Sequence, residues 1–305
     1  MNVGIVGTGY VGATAAYAMV LRGSCSQLVL VDKNEARAIA EAADVSHAAP
    51  VSHPVRVRHG QYADLAGSGV IVIAAGVNQK PGETRLELLA RNAAIFREIV
   101  PSILEAAPEA VLLVATNPVD VLTELTARVA GEAHRDRVIG SGTVLDTARY
   151  RALLAARAGV DPQHVHGYVL GEHGDSEVLA WSSTDIAGLG VSEFFEARGL
   201  EFTNEIRAEI EESTRYAARA IIAGKGATYY GIGAALARIT EAVLRDARAV
   251  LTVSAPTPAF STSLSLPRIV GGSGILGTLP LSLSSEEQSA LEKSASVLRE
   301  ATAQL

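Results

Sequence analysis

Val3-Gly4-Ile5-Val6-Gly7-Thr8-Gly9-Tyr10-Val11-Gly12 carries the chain from a short aliphatic run, through a glycine-rich turn, into an alanine-rich segment. A run of this kind reads as a buried strand of a parallel sheet. The spacing Gly7-x-Gly9-x-x-Gly12 then sets backbone N–H groups and a helix N-terminus where a pyrophosphate can sit. Such a glycine pattern also arises where glycines only let a helix pack close on a strand, so a second feature is needed. Asp32 supplies it, twenty positions after Gly12 at the end of Leu28-Val29-Leu30-Val31. Its carboxylate can accept hydrogen bonds from adenosine ribose hydroxyls and would repel a 2′-phosphate. The combination predicts NAD rather than NADP. Lys33 and Arg37 pull the other way, and Arg37 is placed with the cofactor-binding residues.

Further aliphatic runs at 70–75, 111–115 and 138–140 alternate with longer helix-like segments. In the segment 84–107, Leu88, Leu89, Ile95, Ile99 and Ile103 recur at helical spacing, and Pro101 is expected to kink that helix. The alternation predicts an α/β fold: an N-terminal doubly wound parallel-sheet (Rossmann) domain over 1–141, with its ligand at the carboxyl ends of the strands. Over 142–305 the strand signals turn irregular, which predicts a C-terminal mixed α+β domain for substrate binding and oligomerisation. Two long helices are expected there, at 204–223 and 227–246, broken by Gly224-Lys225-Gly226. A last helix at 285–302 follows the cap candidates Ser284 and Ser285, with Glu286 and Glu287 suited to the dipole at its start.

The 305 residues hold 33 acidic and 26 basic side chains, an acidic balance unsuited to general nucleic-acid binding. One cysteine, Cys25, has no partner in the chain for a disulfide, and a reducing, cytoplasmic setting fits it. No apolar run approaches the roughly 20 residues that cross a bilayer, and the first hydrophobic stretch lacks a basic leader, so no membrane association is expected. The seven histidines are scattered and no metal-ligand spacing occurs, so no metal is expected.

The chemistry concentrates at Leu170-Gly171-Glu172-His173-Gly174-Asp175-Ser176, where a histidine between glycines is open to a substrate. Three more blocks accompany it: Asn78-Gln79-Lys80-Pro81-Gly82-Glu83-Thr84-Arg85, Thr116-Asn117-Pro118-Val119-Asp120 and Leu145-Asp146-Thr147-Ala148-Arg149-Tyr150-Arg151. With the glycine fingerprint and Lys225-Gly226-Ala227-Thr228-Tyr229-Tyr230 they closely resemble the L-lactate dehydrogenases, in order and over nearly the whole chain. The resemblance is to the bacterial branch, since the first strand begins at residue 2 without an N-terminal arm of the animal type.

That resemblance implies reversible hydride transfer between L-lactate and NAD, giving pyruvate, as the last step of anaerobic glycolysis. His173 would be the base for the hydroxyl proton. Asp146 would bind its other ring nitrogen and favour the imidazolium. Asp146 and Arg149 lie three apart on a helix and share a face, so one element can present both, with Arg149 gripping the substrate carboxylate bidentately. Arg85, past a Pro81-Gly82 turn, matches a lid arginine that polarises the carbonyl. Asn117 would donate to the substrate oxygen, with Asn117-Pro118 a candidate cis peptide. Thr228 would lie beside the substrate methyl. Val11, Tyr62, Gly76, Val77, Ala115, Asn117 and Ser141 match positions around the dinucleotide.

Gln79 separates substrates. Malate dehydrogenases of this superfamily usually carry arginine there to pair with the second carboxylate of oxaloacetate, and a neutral Gln79 would leave that charge unpaired. Arg151, two residues past Arg149, points elsewhere on its helix, and His166, seven before His173, is expected on the opposite face of a strand. The matching Arg and His in allosteric bacterial relatives form a fructose 1,6-bisphosphate site across a two-fold interface, which implies a bisphosphate-activated homotetramer or dimer of dimers. A malate or larger 2-hydroxy acid dehydrogenase, or an NAD-binding protein without turnover, are the competing readings.

Overall fold

The computed structural model describes residues 1–77, 82 and 84–305, without the side chain of residue 85. Strands β1 (Asn2–Val6), β2 (Gln27–Val31), β3 (Arg56–His59), β4 (Ser68–Ile73), β5 (Val111–Val114) and β6 (Val138–Gly140) pair in parallel, in the order β3-β2-β1-β4-β5-β6. This is the doubly wound order. Connecting helices are α1 (Tyr10–Arg22), α2 (Glu35–Ser46), α3 (Arg85–Ala106) and α4 (Val119–Ala130). The alternation of side chains along each strand explains why both faces need helices. Val70 and Val72 face the core shared with α1 and α2, whereas Ile71 and Ile73 face the one shared with α3 and α4. The strand order reverses between β1 and β4, which opens the crevice where such sheets bind ligands.

Helix boundaries follow local chemistry. Thr84 caps α3 by accepting from the Glu87 N–H, and the Glu87 carboxylate accepts in return from the Thr84 N–H. The helix continues through Pro101 to Ala106 as one element. α1 ends at Gly23, whose φ of 61° suits glycine.

The second half adds α5 (Val144–Ala158), the short strands β7 (Val165–His166), β8 (Val169–Leu170), β9 (Val178–Leu179), β10 (Asp185–Ile186) and β11 (Leu189–Gly190), and α6 (Val191–Ala197). Then follow α7 (Asn204–Arg215), α8 (Ala217–Lys225), α9 (Tyr230–Leu244), β12 (Ala249–Thr257), β13 (Thr262–Gly271), β14 (Gly274–Thr278) and α10 (Ser285–Thr302). A separate core of Tyr150, Leu154, Trp181, Phe194, Phe195 and Ile210 binds α5 to α6 and α7. Ser284 caps α10 in the same reciprocal manner as Thr84 caps α3.

Four features differ from expectation. The sheet does not stop near residue 141: β12, β13 and β14 extend it antiparallel, joined through Ser254 opposite Gly140. Gly140 allows that approach, since a Cβ there would lie 3.0 Å from the Ser254 Cβ. β3 escapes an aliphatic search because Arg56-Val57-Arg58-His59 lies at the sheet edge and is only partly buried. The single helix expected over 204–223 is two, parted at Tyr216, where Arg219 turns back over the Tyr216 ring at 3.8 Å. The helix expected over 227–246 begins three residues later, at Tyr230, because α8 runs through Gly224 and Lys225 and stops at Gly226, φ 82°.

α9 lies against α1, and Gly233 makes the closeness possible: a Cβ there would sit 2.7 Å from Thr14 Cγ2 and 3.1 Å from the Thr14 carbonyl carbon. Alanine gains about 1 kcal/mol of helix propensity over glycine, but overpacking against backbone costs about 1–3 kcal/mol. Gly233→Ala is therefore expected to lower the thermal midpoint. A midpoint equal to or above that of the parent would contradict the packing account.

Candidate active site

The glycine turn is built around an opening. Gly7, φ +96°, donates its N–H to the Val31 carbonyl at 2.8 Å, and a Cβ on it would strike the Ala75 backbone. A Cβ on Gly12 would strike the Gly7 carbonyl, so Gly12 serves helix–strand packing. Gly9 differs: a Cβ there meets nothing within 4 Å. Gly9 caps α1 without a side-chain hydrogen bond, and no acidic residue stands in the first turn. Uncapped N–H groups facing open space, with Val11 in that first turn, suit an anionic pyrophosphate. At the next strand end Asp32 Oδ2 accepts from the Thr8 N–H at 2.6 Å and hydroxyl at 3.0 Å, and Oδ1 accepts from the Asn34 N–H at 2.9 Å. These bonds aim the carboxylate at the same crevice. Tyr62 lies within its influence: burial, then Glu98 and Asp32, raise the phenol above its ordinary range. Arg37 is exposed, 3.6 Å from Glu41 and 6.0 Å from the centre of the Tyr10 ring. The open glycine turn and the Asp32 carboxylate thus fit NAD.

Strand ends β4 and β5 are tied together beside this cradle. Asn92 of α3, 1% exposed, accepts from the Val77 N–H at 2.9 Å and donates to the Asn117 carbonyl at 3.2 Å. Thr116 donates to the Ala75 carbonyl at 2.7 Å. A Cβ on Gly76 would lie 2.6 Å from Thr116 Cγ2. The Asn117–Pro118 peptide is cis. Ala115 and Ser141 continue the strand ends through backbone bonds to Ile73 and Val114.

The reacting end assembles from three elements. His173 follows β8, and its Nδ1 lies 2.5 Å from Asp146 Oδ2 on α5. Arg149, one turn further along α5, donates to Asp146 Oδ1 at 2.8 Å. The His173 backbone N–H donates to Asp120 Oδ2 of α4 at 2.8 Å. Burial disfavours the charged ring, but the carboxylates of Asp146, Asp120 and Glu177 outweigh it and push His173 up to about 9. Burial pushes Asp120 up to about 6 against its polar neighbours Ser254 and His173. Glu177, 4% exposed, is pushed up to about 8 by burial and by Asp146, opposed by His173, Arg215 and Arg149. Asp120, Glu177, Arg215 and Asn92 have no motif of their own. Asp120 ends the stretch Thr116-Asn117-Pro118-Val119-Asp120, and Glu177 directly follows Ser176.

Thr228 lies half-buried between α8 and α9. Asn78, Gln79, Lys80, Pro81 and Glu83, and the guanidinium of Arg85, lie outside the described residues. His166 is not on one strand with His173: it ends β7, while His173 follows β8, so strand alternation does not relate them. Arg151 turns away from Arg149 and donates Nε to the Gly167 carbonyl at 2.9 Å, next to His166. Among the described residues no group of three His, Cys, Asp or Glu is placed to hold a metal ion, and no helix is long and apolar enough to cross a membrane.

A dinucleotide cradle at one side of the strand ends and a carboxylate-backed imidazole at the other define a nicotinamide-dependent dehydrogenase. Models of the lactate/malate dehydrogenase NAD-binding domain and α/β C-terminal domain match residues 1–140 and 143–305. The chain is 63% identical over 300 residues to an L-lactate dehydrogenase of Deinococcus radiodurans, covering 98% of this chain and 97% of that one. It is 55% identical over 309 residues to an L-lactate dehydrogenase of Thermus aquaticus, covering 100% and 99%. The crystal structure of a lactate dehydrogenase from a Medee basin deep-sea metagenome library superimposes with a TM-score of 0.96 at 39% identity, over 99% of this chain and 98% of that one. The chain belongs to the lactate/malate dehydrogenase family.

Gly9 and Gly12 serve different ends, and substitution separates them. Gly9→Val is expected to fold with an unchanged thermal midpoint while NADH affinity, read by fluorescence titration, falls at least about tenfold, the loss of roughly one charge-assisted bond. Gly12→Val is expected not to reach the folded state. Equal NADH affinity in Gly9→Val would remove the pyrophosphate from this turn.

Proposed function

We propose that this chain is an NAD-dependent L-lactate dehydrogenase, interconverting L-lactate and pyruvate. The observation that carries the reading is the line His173–Asp146–Arg149, in which one buried carboxylate orients both an imidazole and a guanidinium that are partly open. With Nδ1 committed to Asp146, Nε2 is left to take the hydroxyl proton of lactate or return it to pyruvate. Arg149 spends one nitrogen on Asp146 and is 19% exposed, which leaves its fork for the substrate carboxylate. Bound NAD supplies the hydride acceptor. Gly7, Gly9, Val11, Gly12, Asp32, Arg37, Tyr62, Gly76, Val77, Ala115, Asn117 and Ser141 are assigned to the dinucleotide. Asn117 and Thr228 are assigned to the substrate, and so are Gln79 and Arg85 by their sequence match. On this reading residues 1–141 serve the cofactor and 142–305 the substrate and subunit contacts.

The same reading includes activation by fructose 1,6-bisphosphate at Arg151 and His166 in a cytoplasmic homotetramer or dimer of dimers. Supporting it, the Arg151 guanidinium lies 5.3 Å over the centre of the Tyr168 ring, and its Nε donates to a backbone carbonyl, that of Gly167. Burial lowers its pKa, so an anion there would offset a real cost. Its bond to Gly167 places it beside His166, which is exposed. A single buried cysteine, Cys25, accords with a reducing compartment.

Initial rates of NADH oxidation with pyruvate and with oxaloacetate test the substrate. Pyruvate is expected to be preferred, and a preference for oxaloacetate would overturn the reading. Pyruvate reduction needs the imidazolium, whose pKa is raised to about 9, so its kcat/KM is expected to fall as pH rises through about 9, while lactate oxidation gains over the same range. Asp146→Asn removes a raising charge and should shift that limb to lower pH. An unmoved limb would mean that another group titrates. Arg151→Gln should abolish any lowering of pyruvate KM by fructose 1,6-bisphosphate, and retained activation would dismiss this effector site.

A further inference from the structure

Helix α8 contains no buried residue, yet it joins both sides of the site. Its leading end is tied to the turn that carries His173: Arg215, the last residue of α7, donates to the Glu177 carbonyl at 3.1 Å, and Arg219 approaches Asp175 at 3.6 Å. Its trailing end is tied to the cofactor turn. Lys225 Nζ sits 3.5 Å from the centre of the Tyr229 ring and 4.0 Å from that of Tyr230, and the two rings meet edge to face at 4.5 Å. Tyr229 in turn stacks on Tyr10, 5.3 Å between centres and 25° between planes. Tyr10 is the first residue of α1, directly after Gly9.

The segment 226–229, which includes Thr228, hangs between these contacts and α9. α9 is itself fixed by Gly233 against Thr14 and by Gly231 against Leu145, the neighbour of Asp146. A ring pair with one member 65% exposed is not a core contact, so its energy is available to position a surface segment. Lysine over two ring faces adds a cation–π attraction that neither ring would supply alone.

We propose that Tyr10 and Tyr229, with Lys225 over Tyr229, form a clasp through which the cofactor turn positions the segment 226–229 at the substrate side. They are positioning residues, acting through Thr228 and the end of α8. The inference deepens the lactate dehydrogenase reading and rests on it for the placement of Thr228. Dinucleotide binding at the Gly9 turn steadies Tyr10, and the stack passes that order to the segment bearing Thr228.

The test is a double-substitution cycle. Tyr10→Ala and Tyr229→Ala are each expected to raise pyruvate KM about tenfold, the upper worth of one stacked pair, with kcat within about twofold. The double variant should be no worse than either single one, because one contact is lost in all three. Tyr10→Phe keeps the ring and should restore the parent KM. Amide hydrogen exchange in residues 226–229 should slow on adding NADH to the parent and fail to slow in Tyr10→Ala. Additive effects, an unchanged KM, or exchange that slows equally in Tyr10→Ala would overturn the clasp. Should the parent fail to turn over pyruvate, the functional reading falls, and the exchange measurement still decides the clasp because it uses no substrate.

Discussion

Asp146 is 2% exposed and meets both His173 and Arg149. A carboxylate taken that far from water is tolerated only when it is paired and hydrogen-bonded, and removing one partner of such a pair leaves an uncompensated charge. The histidine and the arginine are therefore oriented by the same requirement that makes the buried acid bearable. The fold supplies the rest of the support: α5 carries Asp146 and Arg149 one turn apart, and Asp120 on α4 catches the backbone of His173. Three acids around one imidazole would repel one another as three charges. Burial resolves part of this by pushing Glu177 and Asp120 upward, so that the site's charge is set by protons as much as by residue type.

The cofactor half was legible because its constraints are local. Gly7, Gly9 and Gly12 obey spacings within one turn, Asp32 lies at a fixed remove, and aliphatic strands buried on both faces announce themselves in four or five residues. The shared face of Asp146 and Arg149 was equally readable from helical geometry, whereas the ion pair between them was not. What escaped depends on contacts far apart in sequence. β3 was hidden because an edge strand needs no aliphatic run. The break at Tyr216 has no glycine or proline to mark it; contacts from Arg215 and Arg219 to the His173 turn accompany it. His166 and His173 were related through a strand that does not exist, since Gly167 and Tyr168 interrupt it between β7 and β8 and His173 lies past the end of β8. Asn92 is the plainest case: a lone asparagine in a helix, which only the folded chain shows bridging two strand ends.

Glycine does unlike work at successive positions of the same motif. At Gly7 and Gly12 the absent side chain makes room for the protein's own backbone, whereas at Gly9 it leaves room for something else. A pattern of three glycines therefore combines two folding requirements with one of binding, and reading the motif as a unit hides the division.

The junction of Gly140 with Ser254 makes the two halves a single continuous sheet, although separate family models describe them. A chimera that exchanged the C-terminal half for that of a relative would have to preserve a glycine at 140 on one parent and a small side chain at 254 on the other, with Thr123 crowding the same spot. Recombination between family members near residue 141 is thus filtered by a contact of three small residues, Thr123 and Gly140 on one side of the junction and Ser254, more than a hundred positions later, on the other. Inheritance of the two halves as separate modules is open only to lineages that keep those residues small together.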